Sequence, residues 1–463
     1  MKPNRERWYR QRIAELERQV ADLKQQVNRL LEQVARLSKN SSNSSKPPSS
    51  DIVKPPKSAS VRPSNGKRGG QPGHAKHERA PFAPERIDQT RTYELSKKDA
   101  AGLKRLDEWH VVQQVELQER PFWIVEHRAR KYLNPATGQI IIAPLPPRVA
   151  GGGLIGPRLS ALIAYQKSAC HMSYATIRTF LKDVFGLSVS GGQLVKVVQK
   201  ASAALAGTYE ELRGALPGQS RVGIDETGHP EWKKNLWAWC FRAEDFTVFH
   251  IDPSRGSRVL YDVLGETFGG VIGCDFFSAY RAYMTDVRAL VQFCLAHLIR
   301  EIRFLAEHIN GFVSRWAAKL LIWLRKLFHT LHRRSVMTEI GFARSMDRIR
   351  RRFLQTARKP PPHSEAAPLA GRFKDKTTAN AYFTFLTTPG VAPTNNLTEQ
   401  AIRHVVIDRR ITQGTRGERG RRWCERAWTI LATCAQQGRS SFEFLHQAIL
   451  SHFTRQPAPS LLA

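Results

Sequence analysis

Arg221-Val-Gly-Ile-Asp225-Glu226-Thr227 decides how this chain is read. A short β-branched run leads into an acid, the pattern of a strand presenting a carboxylate at its carboxyl end. Val271-Ile-Gly-Cys-Asp275 repeats the pattern and continues as Phe276-Phe277-Ser278-Ala279-Tyr280. A third acid has a different setting. Thr394-Asn395-Asn396-Leu397-Thr398-Glu399 leads into Gln400-Ala-Ile-Arg403, a capped helix start with Glu399 in its first turn. Taken singly, each is an ordinary solvated carboxylate. Taken together, two strand-end aspartates and a helix glutamate form a candidate site for divalent metal. Hard carboxylate oxygens suit Mg2+, with Mn2+ as a substitute. Two such ions held about 4 Å apart stabilise the attacking and leaving oxygens of phosphoryl transfer.

The flanking residues sharpen this. Asn395-Asn396-x-x-Glu399-x-x-x-Arg403, Asp225-Glu226-Thr227, Trp237-Ala-Trp239, Asp252-Pro-Ser-Arg255 and Cys294-x-x-His297 occur in one chain. Together they resemble the DDE transposases of the insertion sequence 66 family, from the N-terminal helix to about Leu445. The resemblance implies a ribonuclease H-like core with Asp225, Asp275 and Glu399 as the catalytic, metal-binding triad. It implies strand cleavage and strand transfer on the ends of a mobile element and on its target DNA. Two departures stand out. The family's Arg directly after the glutamate is Gln400 here, while Arg403, one turn on, can neutralise Glu399 or a phosphate. Leu133 and Ala136 stand where the family carries a cysteine pair, so a β-turn held by Asn134 and Gly138 is expected there, without structural metal.

Lys and Arg number 72 against 40 Asp and Glu, a formal net charge of +32 with pI near 10.4. A chain this basic meets a polyanion, DNA or RNA, or an anionic membrane surface. No apolar run is long enough to span a bilayer, and the start lacks a signal-peptide core. Six scattered cysteines without Cys-x-x-Cys point to reduced, mostly buried thiols and a cytoplasmic, nucleoid-associated setting.

The expected architecture is multidomain, α+β and α/β, over 463 residues. Residues 8–38 read as a coiled-coil helix. Ile13, Leu16, Val20, Leu23, Val27, Leu30, Val34 and Leu37 alternate spacings of three and four, with β-branched residues at one core position and Leu at the other. That favours a parallel homodimer, in which Arg12 and Glu17 pair across strands. A surface helix uses a wider stripe, and only a short basic stretch precedes the seam, against a basic-zipper protein. Residues 39–80 read as a disordered basic linker, which contains Gly69-Gly-Gln-Pro-Gly-His74.

Residues 81–150 read as a β-rich, degenerate zinc-finger-like module, with strands at Trp109–Leu117, Phe122–Tyr132 and from Gln139. Residues 151–215 read as a helical DNA-binding region. Tyr174–Phe185, a tight turn and Gln193–Lys200 suit a helix-turn-helix, with Ser190, Gln193 and Lys196 toward DNA. A helical hairpin used only for packing gives the same pattern.

Residues 216–455 read as the ribonuclease H-like core. Strands are expected at Leu236–Phe241, Phe246–Ile251 and Val291–Cys294, and a helix at Ser257–Leu264. Their aromatic residues are expected in the core. Asp225 and Asp275 stand 50 positions apart and Glu399 a further 124 on, so a helical insertion at about 300–390 must separate them. Its helices Trp316–Phe328 and Ala343–Leu354 are basic, and a short one is expected at Asn380–Leu386. Arg348 and Arg351, in a run with Arg350 and Arg352, are either a solvated charge face or contacts to the DNA backbone. Arg410, Arg416 and Arg419 are expected on a flexible loop at the DNA. Cys294 and His297 supply half a zinc site by spacing, or support the triad, with His297 near the metals and Arg300 facing DNA. Residues 456–463 read as a frayed tail. Three functions remain open: a transposase, aided by accessory proteins of its element; a DNA-binding protein derived from one, without activity; and a structure-specific or RNA-directed nuclease of the same fold.

Overall fold

The computed structural model describes residues 3–37, 80–362 and 365–462, except positions 100, 104, 105, 108, 116, 119 and 120. Apart from Ala80, the expected linker lies outside the described residues. Two compact units emerge, residues 56–128 and the rest, the division falling inside the expected 81–150 module.

Helix α1 (Pro3–Leu37) is continuous over 35 residues. Its seam residues Ile13, Leu16, Val20, Leu23, Val27 and Leu30 are 44–60% exposed. Arg12 bonds Glu15 of its own helix at 2.8 Å, where a cross-strand pair with Glu17 was expected.

The β-rich reading of 81–150 is corrected. Among the described residues the region's only strands are the antiparallel hairpin β1 (Lys131–Leu133) and β2 (Ile140–Ile142). The described residues of Trp109–Leu117 and most of Phe122–Tyr132 form no strand. Alternation stabilises a strand only where a neighbour completes the ladder and one face is covered. Neither holds here: Val112 and Leu117 are each 77% exposed and Trp123 94%. The hairpin turn forms as expected. Asn134 Oδ1 accepts the Ala136 N–H at 3.0 Å, and Gly138, at φ +67°, donates to the Asn134 carbonyl at 2.9 Å.

Five helices follow: α2 (Pro147–Gly152), α3 (Pro157–Ser168), α4 (Tyr174–Phe185), α5 (Gly191–Ala204) and α6 (Ala206–Ala215). The α4–α5 link is a helix, a tight turn and a capped helix, the form shared by a helix-turn-helix and a packing hairpin. Gly186 closes α4 in the left-handed conformation at φ +63°, and Ser190 caps α5 by accepting the Gln193 N–H at 3.2 Å. Leu194, Val197, Val198 and Ala201 bury one face of α5, leaving Ser190 and Lys196 exposed and Gln193 half-buried.

Then comes the sheet. β3 (Arg221–Glu231), β4 (Lys234–Arg242) and β5 (Thr247–Asp252) form an antiparallel meander. α7 (Arg258–Leu264), β6 (Val271–Cys274), α8 (Ser278–Val287) and β7 (Leu290–Phe293) complete it. The order is β5-β4-β3-β6-β7, with β6 parallel to β3 and β7 parallel to β6. Trp239, Phe241 and Phe249 are core residues, each at most 1% exposed.

The insertion is present as helices: α9 (Leu295–Ala306), α10 (Gly311–His332), α11 (Glu339–Ala357), α12 (Ala367–Gly371) and α13 (Lys376–Ala381). Trp316, Leu320, Leu324 and Leu327 of α10 and Met346, Ile349 and Phe353 of α11 are buried in the same core. The helix expected at Asn380–Leu386 is instead the end of α13 and a 3-10 turn at Thr384–Leu386. Three helices close the chain: α14 (Asn396–Thr412), α15 (Glu418–Gln436) and α16 (Ser441–Phe453). Residues 456–462 are packed rather than frayed. Leu461 is 1% exposed, and the Pro459 carbonyl accepts from Thr208 at 2.7 Å.

Candidate active site

Strand alternation sorts the side chains of β3 between two faces. Thr227 and His229 point to the face of α14 and α15, where they bond Arg409 and Thr415. Asp225 shares their parity. Glu226 points the other way, toward Tyr280 of α8. Gly223 pairs with Gly273 in the parallel register. Two residues beyond each lie Asp225 and Asp275. Asp275 stands just past the end of β6, but Asp225 lies inside β3, which runs on to Glu231 paired with β4 rather than ending at the acid as expected.

α14 brings the third acid over Gly223. A Cβ at that position would overlap Thr398 Oγ1 and stand 3.0 Å from Asn395 Oδ1. Only glycine lets the helix start come this close. Asn395 does not cap α14 with its side chain, as was expected. Its Nδ2 donates to the Ile224 carbonyl at 2.8 Å instead, fastening the helix start to β3 beside Asp225.

The return path is tied as well. Leu295 N–H donates to the Pro393 carbonyl at 2.9 Å, and Asn395 N–H to Cys294 Sγ at 3.2 Å. The chain thus leaves for the insertion and comes back at one point.

The carboxylates crowd one another. Burial raises Asp225 well above the ordinary carboxylate range, and Glu226, Asp275 and Glu399 add to the rise. Burial, then Glu226, pushes Asp275 up to about 7, against the opposing Phe277 N–H and Arg255. Glu399 is accompanied by His297, whose Nδ1 lies 3.5 Å from Oε1, and by Arg300 at 3.3 Å. Burial, helped by Arg300, lowers His297 to about 3, so its ring is neutral at physiological pH.

The family model for the Transposase IS66 family matches residues 152–422, more than half of the chain and all of the strands and helices that carry these acids. The chain belongs to the IS66 transposase family. A second model, a family of unknown function, matches residues 2–80. The uncharacterized protein y4qI of Sinorhizobium fredii is 24% identical over 438 residues, covering 85% of this chain and 78% of that one. Membership gives this IS66 chain a transposase role, with DNA as its partner. Among the described residues no helix is long and apolar enough to cross a membrane.

Two supporting residues of the IS66 chain sit differently from expectation. Arg300 turns inward to Glu399 rather than toward DNA. Arg403 is exposed despite its i+4 spacing, and Arg300 reaches the Glu399 carboxylate from α9 instead. The Arg409–Arg422 segment is not a flexible loop. Arg410 lies in the last turn of α14 and Arg419 in the first turn of α15. Between them Thr415 forms a parallel bridge to Glu231. Arg410, Arg416 and Arg419 are exposed, as are Arg348 and Arg351, the latter bonded to Asp347 at 2.8 Å. All six cysteines are free and all but Cys170 buried.

Three residues that sequence reasoning left without a role belong to this IS66 site. Glu226 is 5% exposed and takes both Nε and Nη2 of Arg255, at 3.0 and 2.8 Å, while Tyr280 donates to its other oxygen. Arg255 lies over the rings of Trp237 and Phe277, at 4.4 and 4.2 Å. Each of the three stood in a quoted motif. The missing signal was that these motifs meet in space.

Proposed function

We propose that the chain cuts DNA at the ends of a mobile element and joins them to a target by metal-dependent phosphoryl transfer. The core is proposed to be ribonuclease H-like. The support is its sheet, an antiparallel meander continued by two parallel strands in the order β5-β4-β3-β6-β7. One observation carries the catalytic reading. Acids from β3, the end of β6 and the first turn of α14 converge on one place, where Asp275 and Glu399 both act on the buried Asp225 carboxyl and help raise it.

That donor set fits hard divalent cations, Mg2+ or Mn2+, because positive charge among the acids would remove the repulsion. A bound pair supplies charge stabilisation at the attacking and leaving oxygens. Asp225 and Asp275 hold fixed positions on adjacent strands, the first inside β3 and the second just past β6. Asn395 holds Glu399's helix against them. Arg300 orients the Glu399 carboxylate, with neutral His297 beside it. Arg255 and Glu226 brace the strand ends from the opposite face of the sheet.

DNA is held by charge around this centre, given +32 overall. Ser190, Gln193 and Lys196 lie at the open start of the second helix of the α4–α5 pair, suited to a groove. Arg348, Arg351, Arg410, Arg416 and Arg419 suit phosphates. The seam of α1 supports self-association into a parallel dimer.

The test is Asp275→Asn on DNA carrying the element's own ends. Strand cleavage with Mg2+ should be lost while end binding persists. A variant that still cuts removes the triad. Cleavage by the unaltered protein without joining to target would favour a nuclease.

A further inference from the structure

The Glu399 carboxylate faces a second set of donors, chemically unlike the aspartates. Ligand atoms of Cys294, His297 and Glu399 all lie within 4.8 Å of one another. Cys294 is the N-cap residue of α9 and His297 stands one turn further on, so both occupy the same face of its start. His297 Nδ1 is buried and carries no hydrogen bond among the described residues. A buried ring nitrogen without a hydrogen bond, 3.5 Å from a Glu399 oxygen and near a thiol, is available as a metal ligand.

We propose that Cys294, His297 and Glu399 form a binding site for a borderline-soft divalent transition ion such as Zn2+, and that filling it withdraws Glu399 from Asp225 and Asp275. Sulfur and imidazole select such ions, while Mg2+ avoids both. Three protein ligands leave a fourth position to water, as in open zinc sites. Donors around tetrahedral zinc stand about 3.5 Å apart, so the cluster closes by roughly 1 Å on binding. The hydrogen bonds Leu295–Pro393 and Asn395–Cys294 keep the two helix starts together and limit the motion required. The Asn395 N–H already points at Sγ, where it stabilises thiolate. Binding forms the metal–sulfur bond and releases the thiol proton to solvent. Arg300 is the local competitor, since it must yield one carboxylate oxygen. The binding half of the proposal is independent of the catalytic reading. The withdrawal of Glu399 rests on it.

Cobalt(II) is the probe, because a thiolate ligand gives it a near-ultraviolet charge-transfer absorption. The metal-free full chain is titrated anaerobically. The band should saturate at one equivalent, disappear on adding Zn2+ and persist in excess Mg2+. Cys294→Ser should abolish it, and His297→Ala should weaken cobalt binding at least tenfold. No band in the unaltered chain, or a band unchanged in both variants, overturns the site. Stoichiometric Zn2+ should also slow Mg2+-dependent cleavage at least tenfold; unslowed cleavage overturns the withdrawal of Glu399. A chain that shows the band but never cuts keeps the site and removes the catalytic reading. A chain that cuts without the band does the reverse.

Discussion

Arg255 donates two hydrogen bonds to one oxygen of Glu226, at 2.8 and 3.0 Å, across a separation of 29 positions. The pair joins the loop after β5 to β3, one residue past Asp225. The guanidinium is planar and stacked on Trp237 and Phe277, so a lysine ammonium cannot replace it. Arg255→Lys should lower the cleavage rate roughly 10- to 100-fold, the usual cost of losing the group behind a metal ligand. DNA affinity should stay within a few-fold. A rate equal to that of the unaltered protein would show that the pair only packs.

Gly223 should accept no side chain. Its missing Cβ is the space filled by Thr398 Oγ1. Gly223→Ala should destabilise the fold by about 1–3 kcal/mol, the range for overpacking, and abolish cleavage by displacing α14. Thr398→Ala in the same chain should recover part of both. Urea denaturation of the two single variants and the double variant measures the coupling, and simple additivity would count against the contact.

His229 sets a pH dependence. Its Nε2 lies 3.2 Å from Thr415 Oγ1, and burial, then Arg409, lowers its pKa from 6.5 to about 4. The folded value lies below the unfolded one. The neutral ring's contribution is therefore present above about pH 6.5 and is lost as pH falls toward 4. Over that window unfolding should become easier by up to about 3 kcal/mol. His229→Gln should flatten this part of the stability profile, and an unchanged profile would show that the ring titrates normally.

The exposed seam of α1 predicts oligomeric state. Leu23→Lys places a charge at a core position of the two-stranded coil. Light scattering should report a dimer for the unaltered chain and a monomer for the variant, with the far-ultraviolet helical signal reduced. A monomer in both would leave α1 a solvated arm.

The sheet and its helical insertion were largely legible because their signals are local. The β-branched runs before Asp225 and Asp275 fall in β3 and β6, although β3 runs on past Asp225 to Glu231, and the basic amphipathic patterns became α10 and α11. The 124-position gap before Glu399 required an insertion, and helices fill it. Partners chosen across the chain were not legible. Asn395 reads as a cap until the Ile224 carbonyl is seen within reach. Arg403 has the right helical spacing for Glu399, yet Arg300 arrives from α9. Around Trp109 and Trp123 the alternation is real, but a strand also needs a neighbour, which no pattern within the segment reveals. The tail appears featureless until Leu461 finds a cavity to fill.

The hydrogen bonds between residues 294–295 and 393–395 make the helical excursion a pendant tied at its neck. Whatever is hung there, the neck closes the same loop, and loop entropy changes only slowly with length. Beyond α9, whose His297 and Arg300 touch the glutamate, evolution can therefore lengthen, shorten or recharge the excursion with less disturbance to Glu399. The place where such proteins are free to diversify is thus set by one backbone hydrogen bond and one to the Cys294 thiol.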